Sequence, residues 1–475
     1  MKISYDMIRH NEIEIVPKNP FANCKLERQQ YASILTSILS TYADGFVLAI
    51  NNKWGAGKTT FVKMWEQDLK NKEYQTVYFN AWENDFDNNP LTALMGELKT
   101  LTKVETEQKF KDVLKKGAFL TKNILPVLAG ALTEKYIGKD VKELAENITK
   151  GVADIFENDV NDYANKKKNI KDFKESLSKF IADTWQGKPV IFIVDELDRC
   201  RPDYSVAILE QIKHFFSVPN IVFVLSIDKE QLGNAVRGVY GSDRIDADEY
   251  LRRFIDVEYS IPEPDTEKYC NYLYSYFGFD EFFKSDFRSK HRELNYDSTE
   301  FIKISKVLFK NSNASLRQQE KIFAHARLVL RSFPENNYVI PSLFLLLIYM
   351  KIIDNALYDK IRLKQLSILE LQQEFINCIK FKDSKDEETE ILFLEAYLVH
   401  YYNNYTNTYS NRIRLYVKEE TTDKNKLLIS SLTDKTPEHS EFLGILENMS
   451  ERRNCGDLDI GYLLKKIDLT EAVKF

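Results

Sequence analysis

The chain has 475 residues, enough for about three domain-sized units, each large enough for its own core. Its 66 Lys and Arg stand against 72 Asp and Glu, a formal charge of −6, which excludes a generally basic surface built to wrap nucleic acid. The five cysteines (Cys24, Cys200, Cys270, Cys378, Cys455) are far apart and never in a CxxC pair, which excludes a disulfide framework and a cysteine zinc site and fits a reducing, cytoplasmic setting.

The N-terminal stretch "MKISYDMIRHNEIEIVPKNP" interrupts its apolar residues with charges, so no signal-peptide core is expected there. A strand is predicted at "GFVLAI" (45–50), followed by "NNKWGAGKTTF" (51–61), a tight loop rich in small residues that leads into a helix at Lys58. That is the context of a phosphate cradle of the form GxxxxGK[ST], with Asn52 at its first glycine position. Gly55 and Gly57 let consecutive N–H groups turn inward, and the helix adds its positive end. Lys53, Trp54, Gly55, Ala56, Gly57, Lys58, Thr59 and Thr60 form the predicted nucleotide-binding set. In it Lys58 bridges the β- and γ-phosphates, Thr59 ligates Mg²⁺ and Thr60 reaches the α-phosphate. Asn52 is expected to supply a positive φ where the chain leaves the strand, since asparagine tolerates it best after glycine. The alternative is an ordinary turn that happens to read GxGKT.

A second strand, "QTVYFN" (75–80), lies between two helical patterns, "KTTFVKMWEQDLK" and "NPLTALMGELKTL". The next strand comes about 110 residues later, more than a crossover needs, so a helical insertion is expected at about 100–170. Its lysine clusters, "KKGAF" and "NKKKNIKD", read as a solvated face because Glu105, Glu107, Asp112 and Asp140 lie among them. Two apolar stretches, 118–132 with Lys122 and Pro126, and 338–350 with Pro341, fall short of the roughly 20 residues a membrane span needs. Buried helices are expected at both, and no transmembrane helix.

The third strand, "PVIFIVDE" (189–196), ends in an acidic pair. Nucleotide hydrolysis needs one carboxylate in the metal shell and a second to deprotonate water. Asp195 suits the first task and Glu196 the second; the alternative for the pair is a helix N-cap. The fourth strand, "NIVFVLSID" (220–228), places Ser226 and Asp228 at its tip. Asp228 either stands between the glutamate and the γ-phosphate or caps the helix "KEQLGNAV". Arg252 and Arg253 precede the last strand, "VEYSI" (257–261), and either reach nucleotide on a neighbouring subunit or pair with Glu249 and Asp248. These strands are mostly continuous apolar runs, as in a parallel sheet covered on both faces. Beyond Pro264 the pattern turns helical, with aromatic stripes expected in the core. There Arg317 opens a helix, "SLRQQEKIF", just past the sheet domain, a place from which it could contact the phosphates and report closure.

The motifs "KWGAGKT" (53–59), "FNAWE" (79–83) and "DELDRC" (195–200) together resemble the KAP family of P-loop NTPases, in order from about residue 20 to about 330. The resemblance implies an α/β P-loop NTPase fold of the additional-strand (ASCE) type, with a mainly parallel five-stranded sheet and the strand of the catalytic glutamate not adjacent to that of the loop. It implies ATP with Mg²⁺, a lead-in segment (1–44) flanking the nucleotide, and a switch or assembly role with a protein partner or through self-assembly. Many relatives carry membrane helices in the insertion, where this chain has one short apolar stretch. Bacterial relatives often serve in exclusion of phage, a role the resemblance allows. The expected organisation is a core at 45–264, a helical lid-like domain at 265–370 and a helical domain at 371–475, where no motif assigns a role. Mg²⁺-dependent ATP hydrolysis driving a conformational cycle is the expected function. Against it stand a nucleotide-sensing scaffold with little hydrolysis, which needs no water-activating base, and a small-molecule kinase. A DNA-linked ATPase would be stimulated by DNA, a partner the composition does not indicate.

Overall fold

The computed structural model describes residues 13–41, 45–86, 89–123, 151–185, 188–310, 312–380, 388–407, 413–419, 424–451 and 458–469. Pro126, Asp140, Cys455 and most of the apolar stretch 118–132 lie outside them. The chain divides into two compact units, one spanning Asn11–Glu263 and one containing Pro264–Phe475.

In the first unit β1 (Val47–Asn51), β2 (Gln75–Asn80), β3 (Val190–Asp195), β4 (Ile221–Ile227) and β5 (Val257–Tyr259) form one parallel sheet in the order β2-β3-β4-β1-β5. All five strands fall where the apolar runs predict them, and β4 is the additional strand between β1 and β3. The reason they read as continuous apolar runs is visible in the burial: every residue of β3 and β4 is buried. The edge strand β5 instead exposes Glu258. Because side chains alternate across a strand, Leu48 and Ile50 point to one face with α1 (Gln29–Thr41) and α2 (Lys58–Asn71), while Val47 and Ala49 point to the other.

That second face is covered by α3 (Pro90–Lys99), α4 (Glu107–Asn123), α5 (Gly151–Thr184), α6 (Pro202–Phe215), α7 (Lys229–Tyr240) and α8 (Ala247–Leu251). The insertion therefore contributes to the core. Phe110 of α4 meets Phe180 of α5 with ring centroids 5.1 Å apart, and Phe173 stacks edge-on to Phe216 at 6.1 Å. Across Lys167, Lys168 and Lys171 the outer side of α5 is exposed, as a solvated lysine face should be.

The second unit is helical, with α9 (Thr266–Tyr276), α10 (Asp297–Lys310), α11 (Leu316–Leu330), α12 (Pro341–Ile353), α13 (Glu388–Thr406) and α14 (Ile460–Ile467) among its elements. In α12 every residue from Pro341 to Met350 is buried, which explains an apolar run without a polar face. Among the described residues no helix is long and apolar enough to cross a membrane. Tyr274, Phe279, Phe283, Phe301 and Phe323 form one aromatic cluster, so the stripes are core. An antiparallel ribbon of β6 (Tyr416–Lys418) and β7 (Asn425–Leu427) was not legible beforehand, since three-residue strands carry too little alternation to register.

Candidate nucleotide site

The site lies at the carboxyl ends of β1, β3 and β4. Their register is level: Ile50 is beside Ser226, and Ser226 beside Asp195. The chain leaving β1 makes its turn with Gly55 at φ 79° and Gly57 at φ 75°, then enters α2 at Lys58. Gly57 is the N-cap residue and supplies no side-chain cap, which leaves the first-turn N–H groups of Lys58, Thr59 and Thr60 without a capping side chain among the described residues. Uncapped amides on a loop with two left-handed glycines suit an anion such as phosphate.

Asn52 departs from expectation. It is not among the residues with positive φ. Its side-chain amide instead brackets Ile261, donating from Nδ2 to the Ile261 carbonyl at 2.8 Å and accepting the Ile261 N–H on Oδ1 at 2.9 Å. The side chain thus copies a backbone pair and extends the β1–β5 edge by one rung, which glycine cannot do.

The loop is held elsewhere too. Arg28, ahead of α1, donates to the carbonyls of Ala56 (2.8 Å) and Gly57 (3.1 Å). A Cβ on Gly57 would lie 3.0 Å from Arg28 Nη1, the tip of a long side chain, so it is the left-handed φ that calls for glycine here. Arg28 also borders a cavity of about 430 Å³ lined with Phe21, Cys24, Glu27, Gln29 and Gln30. Lys53 and Trp54 are exposed, and Thr59 and Thr60 are half-buried in the first turn of α2. The Trp54 backbone N–H donates to Asp228 Oδ2 at 3.1 Å, and its indole N–H donates to Asp198.

Lys58 is buried and curls back onto the carbonyls of Asn52 and, at 3.3 Å, Lys53. Burial lowers its pKa, while Asp198, Asp228 and Asp195 pull it back up. Asp195 is buried at the end of β3; Oδ2 accepts from the Tyr78 hydroxyl at 2.9 Å and Oδ1 from the Glu196 N–H at 3.0 Å. Burial and the neighbouring Asp195 push the Tyr78 phenol well above its ordinary range.

Glu196 has φ 59°, a left-handed conformation unusual for a residue with a side chain, and it makes no side-chain helix cap. Its Oε1 pairs with Arg199 Nη1 at 2.8 Å, and the Asn80 side chain hydrogen-bonds the same carboxylate. Burial raises the Glu196 pKa; Arg199 and Asn80 oppose this and Asp195 adds to it. Arg199 in turn lies over the Trp82 ring, 5.6 Å from its centroid.

Asp228 caps α7, accepting from Gln231 N–H on Oδ1 at 3.3 Å, so the capping reading holds while its other oxygen serves the loop. Ser226 Oγ is fully buried beside Asp195 with no hydrogen-bond partner among the described residues. Arg252 is largely exposed and pairs with Glu249 at 3.2 Å, and Arg253 is exposed just beyond α8. Arg317 sits in the first turn of α11, in the second unit, behind a capping box made by Ser315 and Gln318. Lys53 to Thr60, Asp195, Glu196 and Asp228 thus gather at the carboxyl end of the sheet.

The sequence reading missed Arg28, Tyr78, Asn80, Asp198 and Arg199. Asn80, Asp198 and Arg199 sit inside the quoted motifs "FNAWE" and "DELDRC", a signal that was available. Arg28 lies in the lead-in segment that the resemblance set beside the nucleotide, though without a role of its own; nothing marked Tyr78.

The sequence model of the KAP family P-loop domain matches residues 28–394. The chain belongs to the KAP family of P-loop NTPases. This KAP domain begins at the arginine that holds the loop and runs past the sheet well into the second unit. A curated relative, the uncharacterized protein MJ0182 of Methanocaldococcus jannaschii, is 29% identical over 183 residues, covering 32% of this chain and 88% of that protein. Among solved structures, the Aeropyrum pernix ORC2 protein in ADPNP–ADP complexes matches at 12% identity and a TM-score of 0.31, covering 89% of this chain and 93% of that one. Drosophila ORC bound to DNA matches at 12% identity and a TM-score of 0.30, covering 92% and 98%. Likeness at that level carries no argument for this KAP protein; its family match and its own sheet carry the fold.

Proposed function

We propose that this KAP protein is a Mg²⁺-dependent ATPase whose hydrolysis cycle works as a conformational switch or assembly motor on a protein partner or on further copies of itself. The observation that carries the reading is the level register of β1, β4 and β3, which sets Ile50 just before the loop beside Ser226 and Ser226 beside Asp195. That register supports reading the lysine of the loop and the carboxylate two strands away as parts of one ligand site.

The residues fit a magnesium-bound triphosphate. Uncapped N–H groups at the start of α2 and the two left-handed glycines receive phosphate oxygens. Lys58, released from the carbonyls of Asn52 and Lys53, neutralises β- and γ-oxygens. Among the described residues no cluster of three or more His, Cys, Asp or Glu forms a metal cage, in keeping with an ion that takes few protein ligands and keeps waters and phosphates. Thr59 and Asp195 would hold it, and it would supply charge neutralisation on the phosphoryl group. Glu196 takes the proton of the attacking water, which requires its carboxylate to leave Arg199. The cavity beside Phe21 and Arg28 is offered to the adenine. Arg252, Arg253 and Arg317 stay candidates for contact with nucleotide, the first two from a neighbouring copy; a role in phage exclusion rests on family resemblance alone.

Phosphate release by purified protein with Mg²⁺ and ATP tests the reading. Steady turnover that Glu196→Gln abolishes is expected. ATP binding without release would mark a nucleotide-sensing scaffold, and release that requires DNA would mark a DNA-linked ATPase.

A further inference from the structure

Trp54 is the least expected residue in the phosphate loop, a large aromatic side chain that remains 44% exposed. A tryptophan left so open does little for a core, so its polar handle is what it contributes. That handle, the indole N–H, donates to Asp198, a carboxylate only 8% exposed on the turn after β3. The backbone N–H of the same residue donates to Asp228 Oδ2 at 3.1 Å, at the end of β4. One loop residue is therefore gripped at two points by carboxylates from two neighbouring strand ends.

The loop needs such a grip. Gly55 and Gly57 both stand at positive φ within three residues, and glycine backbone is the most costly to order. Arg28 fixes the carbonyls of Ala56 and Gly57, and Asn52 fixes the exit from β1. Between those anchors Trp54 ties the loop to the turn after β3 and to the end of β4.

We propose that Trp54 and Asp198 form a clasp that positions the phosphate loop for nucleotide, holding its amides convergent before the ligand arrives. Neither residue need touch the phosphates. Asp198 is also the strongest of the charges that support Lys58, but the clasp requires an acceptor oxygen there rather than a charge. Preordering lowers the entropy that binding must otherwise absorb, so the effect falls on affinity. The inference rests on the reading of this loop as a nucleotide site.

The test titrates the purified full chain with a fluorescent mant-ATP and Mg²⁺, alongside urea denaturation of each variant. Trp54→Phe keeps the ring and removes the donor; Asp198→Ala removes the acceptor. Each should weaken binding by roughly tenfold to a hundredfold, the range of one hydrogen bond to a charged group. The double variant should bind no more weakly than the worse single, because both break the same bond. Asp198→Asn, which keeps an acceptor oxygen, should recover most of the affinity, and the denaturation midpoint of Trp54→Phe should stay near that of the parent. Additive losses, wild-type affinity in the singles, no recovery in Asp198→Asn, or affinity lost only in step with stability would each overturn the clasp. Lys58→Ala separates the two levels. If it binds like the parent, the nucleotide-site reading fails; if it does not bind while Trp54→Phe binds normally, only the clasp fails.

Discussion

Replacing Asn52 by glycine moves the loop toward the usual GxxxxGK[ST] pattern, yet the structure predicts that it harms the protein. Asn52 makes two partly buried hydrogen bonds to Ile261, at 2.8 and 2.9 Å. Each contributes about 1 kcal/mol net, and the substitution leaves the Ile261 N–H and carbonyl without those partners. Glycine adds about 0.5–1 kcal/mol of backbone entropy at a position that does not need positive φ. Asn52→Gly should thus cost about 2–3 kcal/mol. For a unit of this size that is a fall of roughly 4–12 °C in Tm, at about 2–4 °C per kcal/mol. Asn52→Asp is the sharper variant, since it keeps the acceptor for the Ile261 N–H but sets a carboxylate oxygen against the Ile261 carbonyl. Differential scanning calorimetry of the three proteins at one pH measures the loss directly. A glycine variant as stable as the parent would refute the bracket as the reason for asparagine, and a more stable one would restore the glycine pattern as the better loop.

Gly57→Ala should cost about 1–2 kcal/mol from the left-handed backbone alone, before any contact with Arg28, and weaken nucleotide binding; equal affinity in a binding titration would contradict the close approach. In the second unit Glu395 is fully buried, with Gln372 and Leu432 N–H on Oε1 and Ser431 and Thr433 on Oε2. Glu395→Gln turns an amide donor toward donors and should cost about 3 kcal/mol, read as faster hydrogen exchange across 430–434; unchanged exchange would count against it. Burial lowers the pKa of His325, which sits 2.9 Å from the Ile467 carbonyl with Lys351 and Asp468 as its charged neighbours. Its folded pKa lies below the unfolded value near 6.5, so the unfolded chain takes up the proton first. The stability it contributes is present above that value and is lost as pH falls through the folded pKa. Thermal melts from pH 7.5 to 5.5 should show a steeper loss in the parent than in His325→Gln, and parallel slopes would exclude the effect.

The five strands were legible because a doubly covered parallel sheet writes itself as unbroken apolar runs, and β3 and β4 bury every residue. The loop and the acidic pair were legible because glycine, lysine and aspartate at fixed spacing on a strand–turn–helix have few other reasons to occur. Asn52 was misread because sequence shows a residue's backbone tolerance but not a partner more than two hundred positions away at Ile261. Shorter but still non-local separations hid Arg28 against the loop and Tyr78 against Asp195. Asp228 was left between two readings, and the structure shows why that was unavoidable: one oxygen caps α7 and the other holds Trp54. The grip on the loop is tertiary, so only its covalent half was readable.

The central claim is that the loop around Lys58 and the acidic pair after β3 act on one nucleotide. The most direct measurement is the identity and amount of nucleotide retained by Glu196→Gln after incubation with Mg²⁺ and ATP and rapid desalting, beside the parent and Lys58→Ala. The account predicts about one intact ATP per chain in Glu196→Gln, ADP or nothing in the turning-over parent, and nothing in Lys58→Ala. ADP on Glu196→Gln at the parent's rate of formation, or ATP retained by Lys58→Ala, would contradict it.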